Sequence, residues 1–232
     1  MANTFGFPIE PSSGGDFLPI IKYDARAGRI FRMDRVDNGS GYESDAVDIT
    51  PIFKALADFE NVQVGWIYFP PGLAPDFKLV PIGTQLPDRP SALHKNGLRF
   101  MLKLSTDCGG DKRIREIAGI SKAFLSGIEA VYTVYLAERS NYPGKLPVIT
   151  LEKTTLVKTG SGDRTSANYH PTFKISGWAP RGDLMFVAKG TSAAPAANAV
   201  AVGVSAPAPA TGSTRAEAPK AAAETVSADD FG

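Results

Sequence analysis

Two short segments set an aromatic ring among cations at a spacing that could engage a nucleic acid. In Tyr169 to Ala179 (YHPTFKISGWA), strand alternation puts Tyr169, Phe173 and Ile175 on one face. His170, Thr172, Lys174, Ser176 and Trp178 fall on the other, so an indole shares a polar face with a lysine. In Arg29 to Val36 the same alternation groups Arg29, Phe31, Met33 and Arg35, with Arg32 opposite. A ring offers a π-face for a base and the neighbouring cation neutralises the adjacent phosphate, without any base-specific hydrogen bond. Each segment also has a plainer reading. Trp178 can be buried under another element, as indoles commonly are, and the arginines around Phe31 can discourage pairing at a sheet edge.

Other chemistry finds little material. One cysteine, Cys108, excludes an intramolecular disulfide or a cysteine-rich metal site, and His94 and His170 lie far apart in the chain, which argues against zinc or a Cys/His dyad. No metal or other cofactor is expected. Lys158-Thr159-Gly160 matches one element of β-lactamase-like sites but lacks a supporting Ser-x-x-Lys, and Gly160-Ser161-Gly162 is too short for a phosphate loop. The expectation is a protein that is not an enzyme.

The net charge of +1 argues against a strongly basic nucleic-acid binder, but the charges are segregated. Residues 20–36 hold five basic and two acidic side chains, whereas residues 37–60 hold one basic and six acidic. Residues 89–115 and 139–182 each hold seven basic and two acidic. Such segregation can form a basic groove on a neutral protein, and it equally describes a solvated mixed surface.

The elements that must position these residues read mostly as strands. Leu146 to Lys158 and Tyr169 to Ala179 form a long β-hairpin, and Ile20 to Tyr23 with Arg29 to Val36 form another across the loop Asp24 to Gly28. Asp37 to Asp48 reads as an acidic loop. Thr50-Pro51 supplies a cap and first-turn proline for a short helix through Phe59, with Ile52, Phe53, Leu56 and Phe59 at helical spacing. Val62 to Phe69 is a strand carrying Trp66, and the proline-rich stretch Pro70 to Ser91 is a surface excursion. In Leu98 to Leu104 the even positions point inward, while Arg99, Met101 and Lys103 point outward. Two helical pieces follow, Lys112 to Ala118 and Ser121 to Ala137.

Residues 1–19 form a loosely attached arm. From residue 188 onward there are 16 alanines, four prolines and no aromatic until Phe231, a composition expected to be disordered. The body is therefore residues 20–187. There is no long apolar run and no basic-then-apolar leader, so a soluble, cytoplasmic protein without membrane contact is expected.

The order of these features resembles the single-stranded-DNA-binding proteins of tailed bacteriophages, most clearly in Gly144 to Ile149 (GKLPVI) and Pro171 to Trp178 (PTFKISGW). The resemblance covers roughly residues 20–187 in arrangement and matches no strict signature. It implies a mainly β fold with accessory helices (α+β): an oligonucleotide/oligosaccharide-binding (OB) fold, a five-stranded, partly open barrel with elaborated loops. It also implies sequence-nonspecific binding and protection of single-stranded DNA during phage replication or recombination, in the host bacterial cytoplasm. Phe31, Trp178, Trp66 and Tyr169 are the stacking candidates on that reading. Arg29, Arg32, Arg35, Arg99, Lys103, Lys158, Arg164, Lys174 and Arg181 are the phosphate candidates, with Lys158 to Arg164 as a clamp loop. Homo-oligomeric or cooperative assembly on the strand is compatible with it. The tail is similar in kind to the acidic, aromatic C-terminal tip of bacterial single-stranded-DNA-binding proteins, which implies that Asp229, Asp230 and Phe231 recruit replication and repair partners. In this chain the phenylalanine is penultimate and only two aspartates precede it. The rival reading is a non-catalytic structural, scaffold or virion-associated protein, which needs no coupling of cations with outward aromatics.

Overall fold

A computed structural model of the chain describes residues 18–39, 41–159, 165–185 and 230–231. The fold is mainly β. Strands β1 (Ile20–Asp24), β2 (Arg29–Asp37) and β3 (Tyr42–Asp48) form a meander. They are followed by β4 (Lys54–Ala57), β5 (Gln63–Tyr68), β6 (Asp76–Pro81) and β7 (Lys95–Leu104). A single turn, α1 (Thr106–Gly109), leads to β8 (Ile114–Gly119), the main helix α2 (Lys122–Glu138), and the long hairpin β9 (Lys145–Thr159) and β10 (Ser166–Pro180). The sheet runs in the order β10-β9-β4-β7-β8-β1-β2-β3, and β5 joins β7 to β6. Neighbours are antiparallel except β1 and β8.

The path is open, yet its curvature brings the β1–β2 turn against β10. Tyr169 N donates to Ala25 O at 2.7 Å, and the Tyr23 hydroxyl donates to Tyr169 O at 2.7 Å. Gly28 closes the turn at φ 67°, and a Cβ there would sit 2.7 Å from the Tyr169 ring, so this contact demands glycine twice over.

Register divides the side chains between two faces. On one face Ile21, Ile30, Phe100, Leu102, Ile117, Ile149 and Phe173 cluster with Phe124, Ile128, Val131 and Tyr135 of α2. The helix starts where Ser121 accepts a hydrogen bond from Phe124 N at 3.2 Å. Gly127, which reads in sequence as an interruption, is where α2 meets β10: a Cβ there would lie 2.6 Å from Pro171 O. On the outer face a smaller cluster gathers Leu56, Met101, Leu146, Val148, Ala179 and Leu184.

Several elements differ from their sequence reading. Thr50 to Phe59 is not a helix: Thr50–Ile52 makes one 3₁₀ turn, and Lys54–Ala57 is a strand paired with β7 and β9. Its apolar residues fit helical spacing because both faces of a central strand are buried, which erases alternation. The same burial explains Lys112 to Ala118, whose core is strand β8 with Arg115, Glu116 and Ile117 all enclosed. The acidic loop contains β3, an edge strand without an apolar face to announce it, and the proline-rich excursion contains β6. Arg99, Met101 and Lys103 do point away from the α2 face, but all three are buried.

A β-bulge decides the placement of Trp178. Ile175 pairs with Ile149 and Gly177 with Val148, leaving Ser176 without a ladder partner. Every side chain beyond that point changes face. Lys174 therefore stays on the outer face while Trp178 turns to the helix side. There it stacks on Tyr142 (4.5 Å between centroids, 11° between planes) and on Tyr135 (5.9 Å, 28°).

Burial, followed by the charge of Asp24, pushes the Tyr23 phenol up to about 12. A raised folded value means that its contribution is complete below the ordinary tyrosine value of about 10 and is lost as pH rises through about 12. Spectrophotometric titration should show late phenols, Tyr135 being raised by burial as well, and one of them should disappear in Tyr23→Phe. That variant should lose about 1 kcal/mol of stability at neutral pH in urea unfolding.

Candidate nucleic-acid interface

The outer face is the surface on which ring and cation meet. On β1, β2 and β3 the register aligns Lys22, Phe31 and Asp48 in one row, with Arg29, Met33 and Arg35 on the same face. Phe31 is half-buried, and Lys22, Arg29 and Arg35 are exposed. Arg29 donates to Asp48 at 2.6 Å. Hydrogen bonds from Thr50, and then Arg29, hold the Asp48 carboxyl below the usual range, so it stays ionised and tempers that cation. Across the sheet, Lys54, Thr150 and Lys174 form a second row on β4, β9 and β10. The Thr150 hydroxyl between the two lysines is buried and has no hydrogen-bond partner.

Beside the second row, on the same strands, lies an apolar slot, and the chain fills it with its own tip. Phe231 is only 6% exposed and packs with the outer-face cluster of Leu56, Met101 and Val148. The preceding carboxylate, Asp230, pairs with Lys54. Lys103 donates to Phe231 O and to Asp183, each at 2.5 Å, and its hydrogen bond holds the Asp183 carboxyl below the usual range. Arg113 and Thr106 both donate to Asp230 O. An anion and an aromatic ring on successive residues are thus held by cations around an apolar floor.

The structure places Phe31, Arg29 and Arg35 on β2 and Lys174 on β10 as exposed or half-exposed groups of the outer face, and Lys103 at the slot. It commits several others to internal partners. Arg32 binds Asp34 (2.8 Å) and Cys108 O (3.0 Å). Arg99, 4% exposed, pairs with Glu116 at 2.8 Å and donates to Gln63. Arg181 forks onto buried Asp58 and reaches Glu60, and these carboxylates, Asp58 first, raise its pKa above the ordinary arginine value. Trp66 donates to Pro87 O at 2.8 Å and lies 5.4 Å beneath the Arg89 guanidinium. Tyr169 is held at the β1–β2 turn, and Lys158 is exposed near the end of β9. Arg164 and Asp229 lie outside the described residues, as do most of the arm and tail.

Lys22, Lys54 and Arg113 belong to this face and were not singled out in sequence. Lys22 was legible in principle, because a hairpin closed by Asp24 and Arg29 sets it opposite Phe31. Lys54 and Arg113 were hidden when β4 and the approach to β8 read as helix. Among the described residues no three His, Cys, Asp or Glu side chains gather as a metal site, and no helix is long and apolar enough to cross a membrane.

Trp178→Ala should cost about 2–3 kcal/mol in urea unfolding through lost ring packing. Lys174→Ala should stay within about 0.5 kcal/mol, as an exposed substitution. Equal, small losses would show that Trp178 is not a packing residue. No protein-family model, curated protein or solved structure matches the chain.

Proposed function

We propose that this chain is a non-catalytic protein that coats single-stranded DNA across the outer face of an OB-like barrel, in phage replication or recombination. The observation that carries the reading is the occupied slot: a carboxylate and a phenyl ring on adjacent residues sit where a phosphate and a base would find the same cations and apolar floor. Phe31, framed by Lys22, Arg29 and Arg35, extends that face with a half-buried ring for sequence-tolerant stacking. The curvature that brings the β1–β2 turn at Ala25 against Tyr169 of β10 supports the barrel assignment.

The seated tip links the two roles expected of this chain. DNA entering the outer face displaces Asp230 and Phe231, and the freed acidic-aromatic end becomes available to replication or recombination proteins. A seated tip offers them little, since its ring is buried and its carboxylate paired.

The test is fluorescence anisotropy of a labelled oligo-dT titrated with the full chain and with a chain ending at Ala228, with duplex DNA as competitor. The shortened chain should bind several-fold tighter. Affinity should fall with salt, and Lys22→Ala should reduce the log–log salt slope by about 0.7, one phosphate contact on a single strand. Absence of binding by both chains at low salt would overturn the function and leave the scaffold reading.

A further inference from the structure

The seat of Phe231 bears on which base a bound strand could place there, an inference that rests on the DNA-coating reading above. Its floor is built by Leu56, Met101, Leu146, Val148, Ala179 and Leu184, and the one ring seated on it, Phe231, is 6% exposed. The groups that hold the tip itself are donors, although Lys103 is shared with the Asp183 carboxylate. Lys54 lies 5.9 Å from the ring centroid and pairs with the Asp230 carboxylate, while Lys103 and Arg113 donate to the main-chain carbonyls of the tip. Ammonium and guanidinium groups have no acceptor to offer.

We propose that, once the tip leaves, this slot receives one unstacked pyrimidine of the bound strand, with a neighbouring phosphate on Lys54 in place of the Asp230 carboxylate. Thymine and cytosine match the phenyl ring in size, and both carry an O2 carbonyl that can accept from Lys103 as Phe231 O does. A purine adds a second ring against the same floor. Duplex DNA cannot supply a base here without unpairing and unstacking it, which is unfavourable by a few kcal/mol per base. The slot thus accounts for strand selectivity, whereas Phe31 on the open face accounts for tolerance: a surface ring stacks on any base, and an enclosed slot does not.

The probe must separate slot from surface and must avoid self-stacking of the oligonucleotide. A labelled dodecamer of abasic nucleotides keeps every phosphate; single thymine, cytosine or adenine bases are placed at its centre and titrated against the chain ending at Ala228. One thymine or cytosine should raise affinity about tenfold over the fully abasic strand, and one adenine should add little. The free peptide SADDFG, which reproduces residues 227–232, should abolish the pyrimidine gain and leave the abasic baseline nearly unchanged. Equal gains for all three bases would overturn the slot and assign the gain to Phe31, with DNA coating intact. No gain from any base, while oligo-dT still binds, would overturn the slot as well. Failure of oligo-dT itself to bind would remove both the slot and the function on which it rests.

Discussion

The constraint on which the rest of this structure depends is a sheet with two faces to cover and one helix with which to do it. Helix α2 closes one face, where the buried aromatic and branched residues of β1, β2, β7, β8, β9 and β10 meet Phe124, Ile128, Val131 and Tyr135. The other face still carries Leu56, Met101, Leu146 and Val148, each buried to within about 1% exposure, and that burial requires a lid. Leu18, Leu184 and Phe231 supply it from three separated parts of the chain. Apolar area removed from water is favourable by about 25 cal/mol per Å². Seating a single phenylalanine is therefore worth about 2 kcal/mol before the entropy of ordering the tip is subtracted.

The same two-faced burial explains why so many basic residues are structural. Arg115 is enclosed at the end of the core and is satisfied by Asp34, Met33 O and Lys112 O; burial lowers its pKa and Asp34 acts against that shift. Arg99 with Glu116, and Arg181 with Asp58, are arranged likewise. Removing one partner of such a pair leaves an uncompensated charge in a low-dielectric site, so these pairs bind distant strands into one arrangement. Those arginines hold the sheet, whereas the outer-face lysines Lys54 and Lys103 hold the tip.

How much of this was legible in the sequence followed from burial. The hairpins β1–β2 and β9–β10 and the capped helix α2 were readable, because each has one wet face or a strong terminal signal. Strands β4 and β8 were misread as helix because they are dry on both faces, and β3 was missed because it is wet on both. At the candidate site, the pairing of Phe31 with Arg29 and Arg35 on one face was readable from alternation alone. The pairing of Trp178 with Lys174 was not, since one extra residue at Ser176 inverts everything beyond it, and the adjacent Gly177 permits a bulge without requiring one. The seat for Asp230 and Phe231 was invisible for a different reason. Its cations, Lys54, Lys103 and Arg113, come from three segments that only the folded sheet places together.

On the proposed reading, the depth of the tip's docking sets what the protein can bind. The gain from burying Phe231 and pairing Asp230 is about 2–3 kcal/mol in gross terms, less the ordering cost, leaving a latch of about 1–2 kcal/mol. That corresponds to a factor of about 5 to 30 in apparent affinity, because the affinity of a ligand that needs the unlatched state is scaled by the fraction of time that state is populated. A strand that engages several phosphates and bases gains far more than this from one protomer and opens the latch readily. A short anion or an isolated phosphate, meeting only Lys54 or Lys103, gains too little to do so. A latch much deeper would leave the protein closed to its strand, and one much shallower would expose Leu56, Met101 and Val148 to water and to other chains. The marginal contact of one phenylalanine and one aspartate lies between those failures, and for that reason the tip can be both a lid and a signal.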